Sequence, residues 1–544
     1  MTPLAEYLFR SLKKAGVDCT FGIPGDFVLP LYAAQAEAGM ETIVCTHEPN
    51  VGFAADAYAR TRGLGVALTT FGAGGLNMVN PIAMAYAEHS PVLVISGAPE
   101  VEGRESDVQP HHLVKSYATQ LRVFEEVTVA SAVLDNPRTA ATEIDRVLDA
   151  VQRHKRPGYL EIPRDMTQAP LAPSSFVAEY GESLAARAET LAEAVAEIRA
   201  VLKGAARPVL FAGVGIRRNA LMDEVVRLAE GWGLPVVSSV LGKASFPETH
   251  PHYQGVFVGE VGSRTALEAI HNSDCVLGVG VIYSDVNIGF GTGAIPHGKL
   301  IMVGEQDTQV FHHHYRGLPM ADVVRGLAVK PEGARVFNAP LVEPPREESA
   351  LSAGSAASPL KTAEVIPAIQ ELEQSRYSFI SDIGDAWFIG LEIKADIFLA
   401  SGYYASMGFA VPGALGVARA LPERRPFVLV GDGAFQMTGN ELSTLVRLAI
   451  PAIIVVLNNS TYKMLEALDQ PREYYKLTSW DYVGLAAALG CPGERVETAS
   501  QLRAALGTAE REKGPYLIEA VLQPGDHAPI MDHIRAVYAA KRGG

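Results

Sequence analysis

The sequence predicts an α/β protein of three domains, each built on a parallel sheet. Three observations carry this expectation. Short apolar runs alternate with helical stretches over almost the whole chain. Two Pro- and Ser-rich stretches interrupt that rhythm. The length, 544 residues, suits three domains at roughly 100–200 residues each. The runs Val66–Thr70, Val92–Ser96, Pro208–Ala212, Val236–Val240, Cys275–Gly280, Phe427–Val430 and Ala452–Leu457 read as buried strands. Strands alternating with helices are the pattern of parallel sheets covered by helices.

The interruptions are Ala169–Ala186, with Pro170, Pro173, Ser174, Ser175 and Gly181, and Lys330–Pro359, with Pro331, Pro340, Pro344 and Pro345. Both read as linkers. They divide the chain into about 1–170, 187–330 and 360–544. The middle segment carries Gly213-Val214-Gly215 after a strand. Without a third glycine this is a Rossmann-like turn rather than a dinucleotide site. His312-His313-His314 sits on a strand by pattern, so neighbouring imidazoles face opposite sides and do not converge on a metal. The outer segments share an echo, Gly52-Phe53-Ala54 and Gly408-Phe409-Ala410, which a duplicated domain would leave.

Composition narrows the function. The chain is 48% hydrophobic and 20% charged, values of an ordinary globular protein rather than a disordered or coiled-coil one. A net charge of −15 repels phosphate backbones and disfavours nucleic acid as a partner. The four cysteines, Cys19, Cys45, Cys275 and Cys491, form no CxxC pair and fit reduced thiols. The N-terminus has no signal-peptide pattern, and no run approaches the ~20 apolar residues of a membrane span. The expectation is a cytoplasmic protein with neither membrane nor nucleic-acid partner.

The chemistry is concentrated in the third segment. Gly431-Asp432-Gly433-Ala434 follows one strand and Asn458-Asn459 follows the next. Both clusters therefore lie at strand C-termini, where parallel α/β sheets bind ligands. Glycines let backbone N–H groups approach a phosphate. Asp432 and Asn459 are hard oxygen donors of the kind Mg²⁺ takes together with substrate phosphate. A Gly-Asp-Gly alone is equally a turn; the spaced pair after two strands is the stronger signal.

This pair resembles the thiamin diphosphate signature, and the chain as a whole resembles the pyruvate, indolepyruvate and phenylpyruvate decarboxylases. The resemblance implies a pyrimidine-binding domain, a Rossmann-like middle domain and a diphosphate-binding domain. It implies that Asp432, Asn459 and the Thr461 carbonyl hold Mg²⁺, and that Gly431, Gly433 and Ala434 face the diphosphate. His47-Glu48-Pro49-Asn50-Val51-Gly52 resembles the family's glutamate helix, with Glu48 on the pyrimidine N1′. Its apolar neighbours point to burial, and a buried carboxyl needs a partner. Gly22-Ile23-Pro24-Gly25-Asp26-Phe27 and His111-His112 resemble the loops carrying the catalytic aspartate and paired histidines. Histidine suits proton transfer near neutral pH. Ser406-Met407-Gly408-Phe409 resembles the segment that bends the cofactor, with Met407 as an apolar wedge and the Ala405 carbonyl accepting from the 4′-amino group. Ordinary core packing is the alternative for Met407.

One position departs from the pattern. Pyruvate decarboxylases place a glutamate six residues after the second Asn, and here Leu465 stands there, with Glu466 rotated about 100° away on a helix. With Met464 and Trp387, Leu465 implies an apolar pocket for an aryl or branched substrate; plain core is the alternative for Leu465 and Met464. The implied activity is non-oxidative decarboxylation of a 2-oxo acid such as phenylpyruvate or indolepyruvate to an aldehyde and CO₂, through the cofactor's ylide and enamine. A carboligase and a non-catalytic thiamin diphosphate-binding subunit are the alternatives. The family shares each cofactor between two subunits, which implies at least a homodimer and, by resemblance, a homotetramer.

Overall fold

The computed structural model describes residues 1–105, 108–178, 184–289, 294–329, 337 and 358–542. Apart from Phe337 and the residues from 358 onward, the second expected linker lies outside the described residues, as do 179–183 of the first.

Three sheets form in succession. The first contains β1 (Cys19–Gly22), β2 (Glu41–Val44), β3 (Gly65–Thr69), β4 (Val92–Ala98), β5 (Ala130–Val133) and β6 (Gly158–Pro163). They lie in the order 2-1-3-4-6-5, all parallel. The central strands β3, β4 and β6 are buried along their whole length. That burial accounts for continuous apolar runs in place of an alternating pattern.

The middle sheet holds β7 (Pro208–Ala212), β8 (Val236–Ser238), β9 (Tyr253–Val256), β10 (Cys275–Val279), β11 (Leu300–Val303), β12 (Asp307–Val310) and β13 (His313–Arg316). Parallel pairs dominate it, as the sequence predicts, with an exception at one edge. Strands β12 and β13 add an antiparallel hairpin to the β11 edge. Their polar sequences, Asp-Thr-Gln-Val and His-His-Tyr-Arg, suit a sheet edge in contact with solvent. His313 sits there against Glu197 at 2.9 Å.

The third sheet holds β14 (Tyr377–Ser381), β15 (Phe398–Ala400), β16 (Arg425–Gly431), β17 (Ile453–Asn458), β18 (Gly493–Val496) and β19 (Tyr516–Val521). Its order, β15-β14-β16-β17-β19-β18 and all parallel, repeats that of the first sheet strand for strand. The sequence echo therefore marks equivalent positions in two domains of one topology.

The echoed segments meet. Helix α1 (Glu48–Arg62) of the first domain crosses helix α2 (Ala410–Ala420) of the third. Rings Phe53 and Phe409 pack edge to face with centroids 6.1 Å apart. One hydrophobic core runs through both, from Val51, Ala54 and Tyr58 to Ala414, Leu415 and Val428. At the crossing, a Cβ on Gly416 would collide with the backbone of Ala54 and Tyr58, whereas one on Gly413 would make ordinary contact 3.4 Å from Ile380. Gly416→Val is therefore expected to lower stability by roughly 1–3 kcal/mol or more, as overpacking does. Gly413→Ala is expected to stay near wild type. Thermal melts followed by circular dichroism check this pair, and equal midpoints for both variants would remove Gly416 from the crossing.

Candidate cofactor and active site

In the first domain one turn organises the residues singled out from the sequence. Thr70–Gly75 follows the C-terminal end of β3. A Cβ on Gly25 would lie 2.6 Å from Thr70, one on Gly74 would lie 3.5 Å from Glu48 Oε1, and one on Gly72 would strike the carbonyl of His112. The Asp26 loop, the start of α1 and the histidine loop therefore all close on this turn, and glycine permits each approach. Gly72 adopts φ +64°, a left-handed conformation that suits glycine.

Asp26 Oδ2 and His111 Nε2 are 2.6 Å apart. His111 stacks on the buried Phe27 at 4.7 Å, and His112 meets His111 edge to face at 4.7 Å. His112 holds φ +67°, a strained conformation for a non-glycine residue and of a kind found at functional sites. Behind it, Gln120 accepts from Gly72 N and donates to Ser96 and Tyr159, and Tyr159 donates to Glu161. Burial pushes Glu161 up to about 7. Glu48 accepts from Asn77 at 3.0 Å. It is half-buried within one chain rather than buried, because it occupies the first turn of α1 at the domain surface. The buried stretch begins at Asn50. Thr70 Oγ1 is buried without a partner.

The third domain presents a second set at the C-terminal ends of β14, β16 and β17. Helix α3 (Asp432–Thr438) begins directly after β16. Asp432 accepts from Gly433 N at 2.8 Å through one oxygen, and from Asn459 N and Ser460 N at 3.1 and 2.6 Å through the other. The two halves of the motif are thus one hydrogen-bonded unit, with Ser460 turned to φ +59°. Asn459 Oδ1 accepts from Thr461 N. Asn458 is turned away and donates to the buried Glu519. Gly433 is required for contact, since its Cβ would lie 2.6 Å from the Tyr462 ring.

The segment before α2 is pinned by Asp382, which accepts from Gly408 N and Ala410 N at 3.0 and 2.9 Å. Ala405 and Gly408 take φ +60° and +90°, and Met407 is half-buried against the core shared by the two domains. Helix α4 (Lys463–Leu468) follows Thr461. On it Met464 packs against the third-domain core, while Leu465 is 42% exposed. Glu466 accepts from Thr461 Oγ1 and Lys463 Nζ, both at 2.8 Å. Burial raises its pKa, but these two partners outweigh burial and hold it below the usual range.

Trp387 is placed elsewhere. It is buried in the third-domain core. With Val240, Leu241 and Lys243 of the middle domain it lines a small interdomain cavity. None of the other residues proposed for the site lines that cavity, nor the neighbouring one of about 310 Å³ beside Arg217, Arg218 and Leu421.

Sequence reasoning missed three acidic groups. Asp382 and Asp385 follow β14 as Asp432 follows β16, so inspecting the end of every strand would have found them. Both Asp385 oxygens are buried without a partner, and burial pushes Asp382 and Asp385 each up to about 6. Glu441, fully buried, accepts from Thr46 N, Thr46 Oγ1 and Asn50 Nδ2 of the first domain at 2.7–3.1 Å. It holds the entry to α1 from across the domain boundary, and no local motif signals it.

Three sequence models of the thiamine pyrophosphate enzymes match the chain in order: the N-terminal TPP binding domain over residues 2–121, the central domain over 195–327 and the C-terminal TPP binding domain over 386–520. The indole-3-pyruvate decarboxylase of Azospirillum brasilense is 37% identical, with 96% of each chain covered. The chain belongs to the thiamin diphosphate-dependent 2-oxo acid decarboxylases. A pyruvate decarboxylase of Neurospora crassa is 30% identical over 96% of this chain and 94% of its own, and one of Arabidopsis thaliana 31% over 96% and 91%. No helix among the described residues is long and apolar enough to cross a membrane.

The third-domain set fits such a cofactor with a hard divalent ion. Its donors are oxygens, and a Cβ on Gly384 or Gly431 would meet nothing within 4 Å, leaving room beside Asp385 and Asp432. Burial pushes Asp432 up to about 6, opposed by its contacts with the Ser460, Gly433 and Asn459 amides. A native carboxylate raised above its unfolded value near 3.8 holds its proton more tightly when folded. Its contribution to stability therefore falls as pH rises through that interval. Without metal or cofactor, the melting temperature of wild type relative to Asp432→Asn is expected to drop between pH 4 and 6. Thiamin diphosphate with Mg²⁺ at pH 7 is expected to stabilise only the wild type. A flat difference across that pH interval would show that Asp432 is not the strained group.

Proposed function

We propose that the protein decarboxylates bulky aryl or branched 2-oxo acids, such as phenylpyruvate or indolepyruvate, to the aldehyde and CO₂, using thiamin diphosphate and Mg²⁺. The observation that carries this reading is the convergence of Asp26, Glu48, His111 and His112 on the single Thr70–Gly75 turn. Proton donors and acceptors stand together there beside an unpartnered Thr70 hydroxyl. The name of the Azospirillum relative favours an aryl substrate.

Thiamin diphosphate supplies the electron sink that lets CO₂ leave. In this reading Asp432, the Asn459 side chain and the Thr461 carbonyl hold Mg²⁺, and Gly431, Gly433 and Ala434 offer backbone to the diphosphate. Met407 and the Ala405 carbonyl orient the pyrimidine. In this reading Glu48 would hold a proton at the pyrimidine N1′, and Asp26, His111 and His112 would deliver a proton to the carbon that loses CO₂ and take one from the oxygen that becomes the aldehyde carbonyl. Leu465 and Met464 form an apolar wall where pyruvate decarboxylases carry a carboxyl. Among the described residues no hydrogen bond or ion pair joins the first-domain set to Asp432, Asn459 or Thr461. Leu465, Tyr404, Met437 and Trp480 are exposed in one chain. Both facts support completion of the site by a second copy, in a dimer at least and a tetramer by family resemblance.

Aldehyde release from phenylpyruvate, indolepyruvate, benzoylformate and pyruvate, with and without cofactor, tests the activity. The aryl substrates are expected to lead, and bound cofactor without any aldehyde would point to a carboligase or a silent subunit. Glu48→Gln is expected to keep the fold and lose about 10²–10⁴-fold in turnover, the scale of general acid–base catalysis; unchanged turnover would refute its role. Leu465→Glu is expected to lower the preference for aryl over short substrates, and an unchanged ratio would take Leu465 out of the pocket.

A further inference from the structure

We propose that Asp26, His111 and His112 form a second metal site, selective for a borderline transition-metal ion of the Zn²⁺ class, and that its occupation stops proton handling. This site is separate from the oxygen set around Asp432. Its three ligand atoms, one carboxylate oxygen and two imidazole nitrogens, all lie within 4.8 Å of one another. It is the group of three such donors found among the described residues.

Three physical features support it. The first is donor type. Two nitrogens and one oxygen suit Zn²⁺, Co²⁺, Ni²⁺ and Cu²⁺ and are poor ligands for Mg²⁺, which takes oxygens at near-ideal octahedral geometry. Three protein ligands also leave a position open for water, the arrangement of reactive rather than structural zinc sites. The second is access. Within one chain Asp26 is half-buried and both histidines are exposed, so no rearrangement of this chain's own core is needed for an ion to reach them. The third is support. Phe27 backs both imidazoles, at 4.7 and 6.1 Å, and the His112 carbonyl abuts Gly72, whose N–H is held by Gln120.

The rearrangement needed is small. Ligands about 2.0–2.2 Å from a common ion must spread the 2.6 Å contact between Asp26 and His111 and draw the widest pair together by about an ångström. Exposed side chains on a loop supply this by rotation. The cost is the hydrogen bond between Asp26 and His111. Each ligand lone pair given to the ion is then lost as a proton acceptor, so the same atoms cannot do both.

Binding does not depend on the proposed reaction; the inhibitory consequence does. The test uses full-length protein with thiamin diphosphate and excess Mg²⁺, titrated with Co²⁺ as a spectroscopic probe. The expected result is one Co²⁺ per chain with the intense visible bands of a low-coordinate nitrogen-containing site, parallel loss of aldehyde release, and displacement by Zn²⁺. His111→Gln and His112→Gln should each weaken binding by about 100-fold or more, since loss of even an outer-shell partner costs roughly 10–100-fold. Weak octahedral bands that survive both substitutions and vanish in Asp432→Asn would place Co²⁺ in the oxygen set and overturn the proposal. So would the absence of bands in wild type, or binding that leaves turnover intact. If the enzyme loaded with thiamin diphosphate and Mg²⁺ releases no aldehyde before any Co²⁺ is added, the decarboxylase reading fails while the bands still decide the metal site.

Discussion

The close crossing of α1 and α2 is the constraint on which the rest depends. Gly416 lies so near Ala54 and Tyr58 that no side chain fits between them. That approach merges the cores of the first and third domains. Charged groups secure it. Glu441 reaches across to Thr46 and Asn50 just around the start of α1. Arg60, nearly fully buried, pairs with Asp56 and Glu88 and donates to Ala400 O of the third domain. Glu88 in turn accepts from the amides of Tyr403 and Tyr404. Buried ions cost desolvation energy that their hydrogen bonds must offset. Here those bonds span the boundary, so separating the domains would leave charges without partners. The registry of the crossing fixes Glu48, at the head of α1, and the Met407–Gly408 turn, just ahead of α2.

Two copies of one topology explain why both domains offer polar groups at the same level. In each sheet, strands in the order 2-1-3-4-6-5 end in loops on one edge. The first domain uses the turn after its third strand for the Asp26–Glu48–His112 convergence. The third domain uses the turns after its first, third and fourth strands for Asp382, Asp432 and Asn459. Loops at this edge accept strained backbone, as at His112, Ala405 and Ser460, because the buried strands beneath them are rigid. The middle domain has the same layered logic but a different sheet, with a polar antiparallel hairpin on one edge.

Much of this was legible in the residues. Strand positions such as Pro208–Ala212 could be read from continuous apolar runs, because strands buried on both faces leave that trace. The Gly-Asp-Gly and Asn-Asn pair stood out because glycine and hard oxygen donors at strand ends have few other uses. What escaped detection depends on tertiary contact. Glu441 is an unremarkable Glu in a helical stretch until its carboxylate meets a different domain. Trp387 is expected in an apolar pocket with Leu465 and Met464. Its position on the Asp385–Glu392 helix buries it in the core, beside the small interdomain cavity. Glu48 was expected to be buried from its neighbours, but the first turn of a helix can lie at a surface while its next turn is enclosed. The β12–β13 hairpin broke the parallel rule because edge strands are polar and short, and their pattern is that of a loop.

Asp382, Asp385 and Asp432 stand together at the edge of one sheet, each pushed up to about 6 by burial. Their partners differ. Asp382 is spent on the Gly408 and Ala410 amides and acts as scaffold for the turn before α2. Asp432 has the Gly433, Asn459 and Ser460 amides, which lower the cost of its charge without neutralising it. Neither Asp385 oxygen has a hydrogen-bond partner in normal geometry, and only the Ala528 backbone and the charges of His527 and Lys463 oppose the effect of its burial. A protein concentrating buried carboxylates in this way is less stable at neutral pH than one with amides in their place, unless a cation joins them. The strain is therefore directional: it favours a positive ion at Asp432 and a protonated group at Asp385. The same burial that raises the energy of the empty site makes a divalent ion with its phosphate ligands the complement that relieves it. At this edge of the sheet, function and instability share one physical origin.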